Sequence, residues 1–232
     1  MTWTSVAFVV ICAIVGTSAD VDINDVAKIA GASNNFAKDL YEQMTRKNEG
    51  QNVLFAPFGL SMAMAMVYNG ATDRTERQIQ RSMFFDRAAD DKEELNERYK
   101  EAASLLKDPT NQYRISFANK LFGSKDYDYN REFQRVVSHA YGAPLEKIDW
   151  NDDVEDTVMH INDWVAERTN MRVMDMLKEK DIKSNISLAL ISAFYFNSVW
   201  EDSFPKNNTK DRSFLKAGGE TIEVKTMYTE GN

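Results

Sequence analysis

Leu188-Ala189-Leu190-Ile191-Ser192-Ala193-Phe194-Tyr195-Phe196 carries no charge, and only its serine and tyrosine interrupt the apolar run. A strand with one wet face alternates apolar and polar residues. A run that is apolar in both registers reads instead as a strand buried on both faces, central in a sheet covered above and below. Downstream, Thr221-Ile222-Glu223-Val224-Lys225-Thr226-Met227 alternates like a half-buried strand and leads into the turn signal Glu230-Gly231-Asn232. No returning strand follows that turn, so the sequence is expected to break off inside a sheet. Upstream, Arg114 to Phe122 reads as another strand.

The segments between and before these strands have helical periodicity. Ser33-Asn34-Asn35 is suited to cap a helix with Phe36, Leu40 and Met44 on one face. Pro57 opens a second helix and Gly70 closes it. Between them Leu60-Ser61-Met62-Ala63-Met64-Ala65-Met66-Val67 is apolar all round, which places the helix inside a core and its methionines as core filling. Thr75 begins a third helix, with Glu76, Arg77, Gln78 and Arg81 outward. Asp90 to Lys107 gives an amphipathic fourth, with Leu95, Tyr99, Ala102 and Leu106 inward, stopped by Asp108-Pro109. Thr157 to Leu177 reads as a last helix, with Val158, Ile161, Trp164, Val165 and Arg168 along one side. Helices followed by long buried strands indicate an α+β protein with a large covered sheet.

The 232 residues are 43% hydrophobic and 28% charged, enough for a sizeable core. A formal net charge of -8 argues against nucleic-acid binding, which needs clustered lysine and arginine. Val6 to Val15 is an apolar run too short to span a bilayer as a helix. Gly16-Thr17-Ser18-Ala19 follows it, so residues 1–19 read as a signal peptide cleaved after Ala19. A secreted, extracellular protein with no membrane anchor is expected. Cleavage would remove Cys12, the one cysteine, and with it any disulfide or thiol nucleophile. Asn185-Ile186-Ser187 and Asn207-Asn208-Thr209 are acceptor sequons for N-glycosylation that fit this route.

Chemistry-bearing motifs are sparse. The sequence has no Gly-x-Ser-x-Gly elbow, no His-Glu-x-x-His and no Gly-rich phosphate loop. Its two histidines, His139 and His160, lie on helical stretches without an evident nucleophile and read as structural. Asp126-x-Asp128-x-Asn130 resembles half a calcium loop, but Arg131 and Val137 stand where the loop needs glycine and glutamate. Asp152-Asp153-Val154-Glu155-Asp156 reads as a solvated helix start. Arg74, Arg77 and Arg81 form a small basic face diluted by Glu76. No catalytic residue, metal or cofactor is assigned, and an enzyme is not expected.

Several blocks, in order, carry a family resemblance. They are Asn35-Phe36-Ala37 with Leu40-Tyr41; Asn52-Val53-Leu54-Phe55-Ala56-Pro57-Phe58-Gly59-Leu60; and Tyr68-Asn69-Gly70-Ala71. Ile115-Ser116-Phe117-Ala118-Asn119-Lys120-Leu121-Phe122, Tyr141-Gly142-Ala143-Pro144-Leu145-Glu146-Lys147-Ile148-Asp149-Trp150, and Ile161-Asn162 with Trp164-Val165 and Thr169 follow. The last are Leu190-Ile191-Ser192-Ala193-Phe194-Tyr195-Phe196 with Trp200, then Thr209, Arg212 and Phe214. Taken together, residues 25–232 resemble the N-terminal portion of a serpin, so residues 20–232 are expected to be the first part of a single serpin domain. The resemblance implies a multi-helix bundle packed on a large central β-sheet, incomplete at the C-terminus and ending before the reactive centre loop.

What the resemblance implies about activity is an inhibitor of serine endopeptidases, with cysteine endopeptidases as alternative targets, acting as a monomer. The protease cleaves the reactive loop, which inserts as a new strand into the central sheet. No reactive bond is present in this chain, so the fragment itself is expected to be inactive. A non-inhibitory serpin acting as extracellular carrier, chaperone or storage protein is the alternative. Ala56, Gly59 and Ser192 resemble the shutter positions, where the family has Ser, Ser and Asn. Trp200 resembles the tryptophan of the breach.

Overall fold

The structure, a computed structural model, describes residues 22–107, 113–151, 153–183, 185–200 and 202–229. The signal peptide expected over residues 1–19 and the turn at Glu230-Gly231-Asn232 lie outside the described residues.

Helix α1 (Ile23–Lys47) begins ten residues before the expected Ser33 cap, because Asp22 caps it by accepting the Asn24 amide. Ser33 instead points inward and is buried. α2 (Pro57–Gly70) keeps both expected ends, and Phe58, Met62, Ala65, Met66 and Tyr68 are buried around its circumference. α3 (Asp73–Ser82) buries none of its residues. α4 (Lys92–Leu106), capped by Asp91 at the Glu94 amide, turns Leu95, Tyr99 and Ala102 inward.

β1 (Arg114–Ser124) is followed by α5 (Arg131–Tyr141) and β2 (Leu145–Ile148) in a right-sized crossover, and β2 pairs parallel to β1. α6 (Val154–Arg168) starts at the Asp153 cap. It stops nine residues before the expected Leu177, because Asn170 and Met171 adopt left-handed backbone (φ 50 and 58) and the chain reverses. β3 (Leu188–Asn197) then pairs antiparallel with β1 over ten residue pairs, from Arg114 opposite Asn197 to Gly123 opposite Leu188.

The sheet order is β2-β1-β3. Leu190 and Phe194 of β3 pack with Phe117 and Leu121 against the core shared by α1, α2, α4 and α5. Ile191 and Ala193 pack on the other face with Phe122, Trp150 and the α6 residues Ile161 and Val165. β3 is therefore covered above and below, as its composition requires. The expectation that it is central is corrected: among the described residues β1 is central, and β3 is an edge strand.

β4 (Lys210–Leu215) and β5 (Thr221–Thr226) form a separate antiparallel hairpin joined through Gly219, whose φ of 82 makes the turn. The alternating Thr221–Met227 stretch thus has a partner on its N-terminal side, one the sequence reading did not see. Phe214 and Leu215 are 55% and 67% exposed.

Candidate functional site

The N-terminus of α2 lies over the inner face of β3. Ala56 is the N-cap residue of α2 and supplies no side-chain acceptor to the first turn. Gly59 is two residues inside the helix. A Cβ at Gly59 would sit 3.8 Å from Ser192 Oγ, 3.8 Å from Phe194 Cδ2 and 4.0 Å from Ala56 Cβ. The three shutter-like positions, drawn from separate parts of the sequence, are thus brought together, with room for a side chain at Gly59.

The sequence reading missed one member of this cluster. Asn119 of β1 stands opposite Ser192 in the register. It is 4% exposed, and among the described residues neither end of its amide has a hydrogen-bond partner. A buried unpaired amide costs about 1–3 kcal/mol for each unsatisfied group. The signal was available in the sequence: Phe117, Asn119 and Leu121 share a face by strand alternation, so a polar residue occupies a core-facing slot.

Trp200 lies just beyond β3, 65% exposed, edge-on to Phe204 with ring centroids 5.5 Å apart. Val199 beside it is 76% exposed. Asn185 is exposed in a turn before β3, and Asn207 is exposed in a short 3-10 helix (Lys206–Asn208) before β4.

On the opposite face of the sheet, α6 is tied down by an ionic junction. Glu146 of β2 accepts from Lys120 of β1 at 2.5 Å and meets His160 of α6 at 2.6 Å. The Lys120 ammonium also faces the rings of Phe122 and Trp164. Burial alone would raise the Glu146 pKa, but the hydrogen bonds and charges of Lys120 and His160 outweigh it and hold the carboxyl below its ordinary value. A cleft of about 240 Å³ beside His160 is lined by Asp149, Asp153 and Asp156. Asp153 is committed to capping α6 and Asp149 to Lys125. His139 approaches Lys100 at 3.3 Å. Arg74, Arg77 and Arg81 project from the exposed helix α3. Of the half calcium loop, Asn130 caps α5 and Asp128 faces Lys147.

Within the main core, Tyr99 is fully buried against the Ser61 hydroxyl of α2, and burial pushes its pKa far up. Tyr141 donates to Asn96, which is bonded in turn to Asn69. These contacts knit α2, α4 and α5 into the platform that carries Ala56 and Gly59.

Comparison with known proteins places this geometry in a family. The profile described as "Serpin (serine protease inhibitor)" matches residues 31–232. A leukocyte elastase inhibitor of Xenopus tropicalis is 32% identical over 201 residues, covering 86% of this chain and 52% of that protein. Serpin B3 of Homo sapiens is 29% identical over 215 residues, covering 87% and 55%. Uncleaved ovalbumin superposes with a TM-score of 0.81 at 26% identity, covering 88% of this chain and 57% of that one. Emu ovalbumin gives 0.82 at 23% identity. The chain spans about half the length of the curated relatives it matches.

Leukocyte elastase inhibitors and serpins B3 and B6 form an intracellular group of relatives, which overturns the expected secreted, extracellular location. The leader-like composition of residues 6–19 was the whole basis of that expectation, and an apolar run of this kind does not itself determine export. No glycan is assigned to Asn185 or Asn207 on its account. The ordered blocks, the covered three-stranded sheet and the family match agree: this chain belongs to the serpin family.

Proposed function

We propose that the protein to which this sequence belongs inhibits serine endopeptidases, with cysteine endopeptidases as alternative targets. It would act by cleavage of a reactive loop and insertion of that loop as a strand beside β3. The observation that carries this reading is the free edge of β3. A ten-residue strand, packed on both faces, offers one whole row of backbone groups that pairs with nothing among the described residues. Such an edge accepts an extended segment by backbone hydrogen bonding, and affinity follows from the length of the ladder. Relatives described as elastase inhibitors support the same reading. No residue of this chain is assigned to the reactive bond, and the 232 residues alone are proposed to be inactive.

A second reading, a non-inhibitory serpin acting as carrier, chaperone or storage protein, is favoured by the absence of hydroxyls at Ala56 and Gly59 in the shutter-like cluster and by the likeness to ovalbumin. One experiment separates the two. The protein at its full natural extent is incubated with trypsin-like, elastase-like and papain-like proteases. A covalent complex surviving denaturing electrophoresis is the expected result with at least one of them. Clean cleavage of the protein by all of them, with no complex, would leave the second reading standing.

A further inference from the structure

Helix α3 is polar almost all round. Ile79 is its one apolar residue, and none of its ten residues is buried. A helix without an apolar face gains little from packing, so its side chains do not serve the core. Two acids accompany its three arginines, and neither pairs with them. The Glu76 carboxylate meets Lys92 of α4 at 3.1 Å, and the Lys92 ammonium also donates to the Ala71 carbonyl at 2.9 Å. Asp73 opens the helix in left-handed backbone, with φ 52, and forms no ion pair among the described residues.

Arg74, Arg77 and Arg81 are left together on the other side. At about 100° per residue they fall within an arc of about 60°, with Gln78 beside them and Glu76 facing away. Three guanidinium groups thus stand along about 10 Å of helix. All three arginines are exposed, and none has an ion-pair partner among the described residues. The dilution by Glu76 expected from the sequence is therefore absent, because that carboxylate belongs to Lys92. Like charges one turn apart destabilise a helix, and no neighbouring carboxylate offsets them here. In a chain with a formal net charge of -8, arginines left unpaired in this way point to an anionic group supplied from outside.

We propose that this face of α3 docks a short acidic segment of a partner protein, with Arg74, Arg77 and Arg81 receiving its carboxylates. A guanidinium suits this task, since it presents paired N–H donors in the geometry of a carboxylate. The extent of the face sets the length of the segment: about 10 Å matches three extended residues or two turns of helix. A long polyanion fits less well, because it would continue onto a molecule whose acids outnumber its bases by 36 to 28. Nor does α3 carry an aromatic ring for nucleic-acid bases to stack on. The surface stands apart from the inhibitor reading, since it involves neither the reactive loop nor the edge of β3.

Fluorescence anisotropy of a labelled octaglutamate peptide, mixed with the protein at its full natural extent, tests the proposal. Saturable binding is expected at low ionic strength, fading as salt shortens the reach of surface charges. Arg77→Glu should weaken it by about ten-fold or more, as a like charge set against the peptide implies. Arg74→Gln, Arg77→Gln and Arg81→Gln combined should abolish it. Glutamine keeps helix propensity and no residue of α3 is buried, so these variants retain the fold. Arg131→Glu makes the same change of net charge at an exposed position of α5 and should leave binding nearly unchanged. An octaglutamate that fails to bind, or binding that the α3 variants leave unaltered, would overturn the proposal. A sulfated oligosaccharide or a short single-stranded DNA bound more tightly through the same arginines would overturn it as well, by assigning the face to another class of anion.

Discussion

At Gly59 the neighbouring atoms leave ordinary van der Waals room for a Cβ, so a serine there meets no clash, and its hydroxyl would enter the space beside Ser192 and Asn119. Ser192→Asn alone is expected to gain nothing, because the serines that the family has at the positions of Ala56 and Gly59 are missing. Gly59→Ser, Ala56→Ser and Ser192→Asn together should raise the melting temperature by more than the sum of the single changes. A thermal-unfolding cycle over all the combinations checks this, and simple additivity would mean the three positions do not act as a cluster. Asn119→Leu supplies the complementary measurement. Removing a buried amide without partners should be neutral or stabilising, where the same change at a satisfied asparagine would cost about 1–3 kcal/mol. Ser61→Ala is expected to destabilise by about 1–3 kcal/mol, since it takes a hydrogen-bond partner from the fully buried Tyr99 hydroxyl.

Among the elements, α6 is fastened to the sheet through Glu146. The carboxyl has a depressed pKa in the folded state, so its stabilising contribution is present above the ordinary value of 4.5 and is lost as pH falls through the folded value. Glu146→Gln should therefore lower the melting temperature at neutral pH, with the difference from the parent narrowing as the solution is acidified below about 4.5. A gap that stays constant with pH would assign the loss to packing. Elements with strong local signals were legible in the sequence: Pro57 and Gly70 bound α2 because backbone chemistry forces them to, and β3 announced its two buried faces. The Ser33-Asn34-Asn35 cap was misread because these residues lie in the middle of a helix already capped at Asp22, with Ser33 turned into the core. α6 was drawn too long because Met176 and Leu177 continue its apolar pattern while belonging to a segment that returns along it. β4 went unseen because Lys210, Arg212 and Phe214 share one of its faces, a mixture no binary pattern separates. Of the candidate site, Ala56, Gly59 and Ser192 were legible only through the family resemblance. Asn119 was overlooked although strand alternation puts it on the face of Phe117 and Leu121; that its amide finds no partner there is a tertiary fact.

For the molecule as a whole, the described residues leave a long apolar edge and an unpacked hairpin in water. Leu188, Phe196, Val199, Trp200, Phe214 and Leu215 are all exposed. The 232-residue chain produced alone is expected to self-associate through β3, since exposed edges of this length template pairing with other chains. Sedimentation over a range of concentrations measures this, and a monodisperse monomer at tens of micromolar concentration would contradict it. The buried, chargeless α2 also has a consequence in time. Its residues are complete at Gly70, yet Phe194, which packs on the same core, comes 194 − 70 = 124 residues later. At a synthesis rate of about 5–20 residues per second, that interval lasts roughly 6–25 seconds. For that period a helix with no polar face emerges from the ribosome before the strand that will cover it, and it is the stretch of the nascent polypeptide with the greatest need of a chaperone.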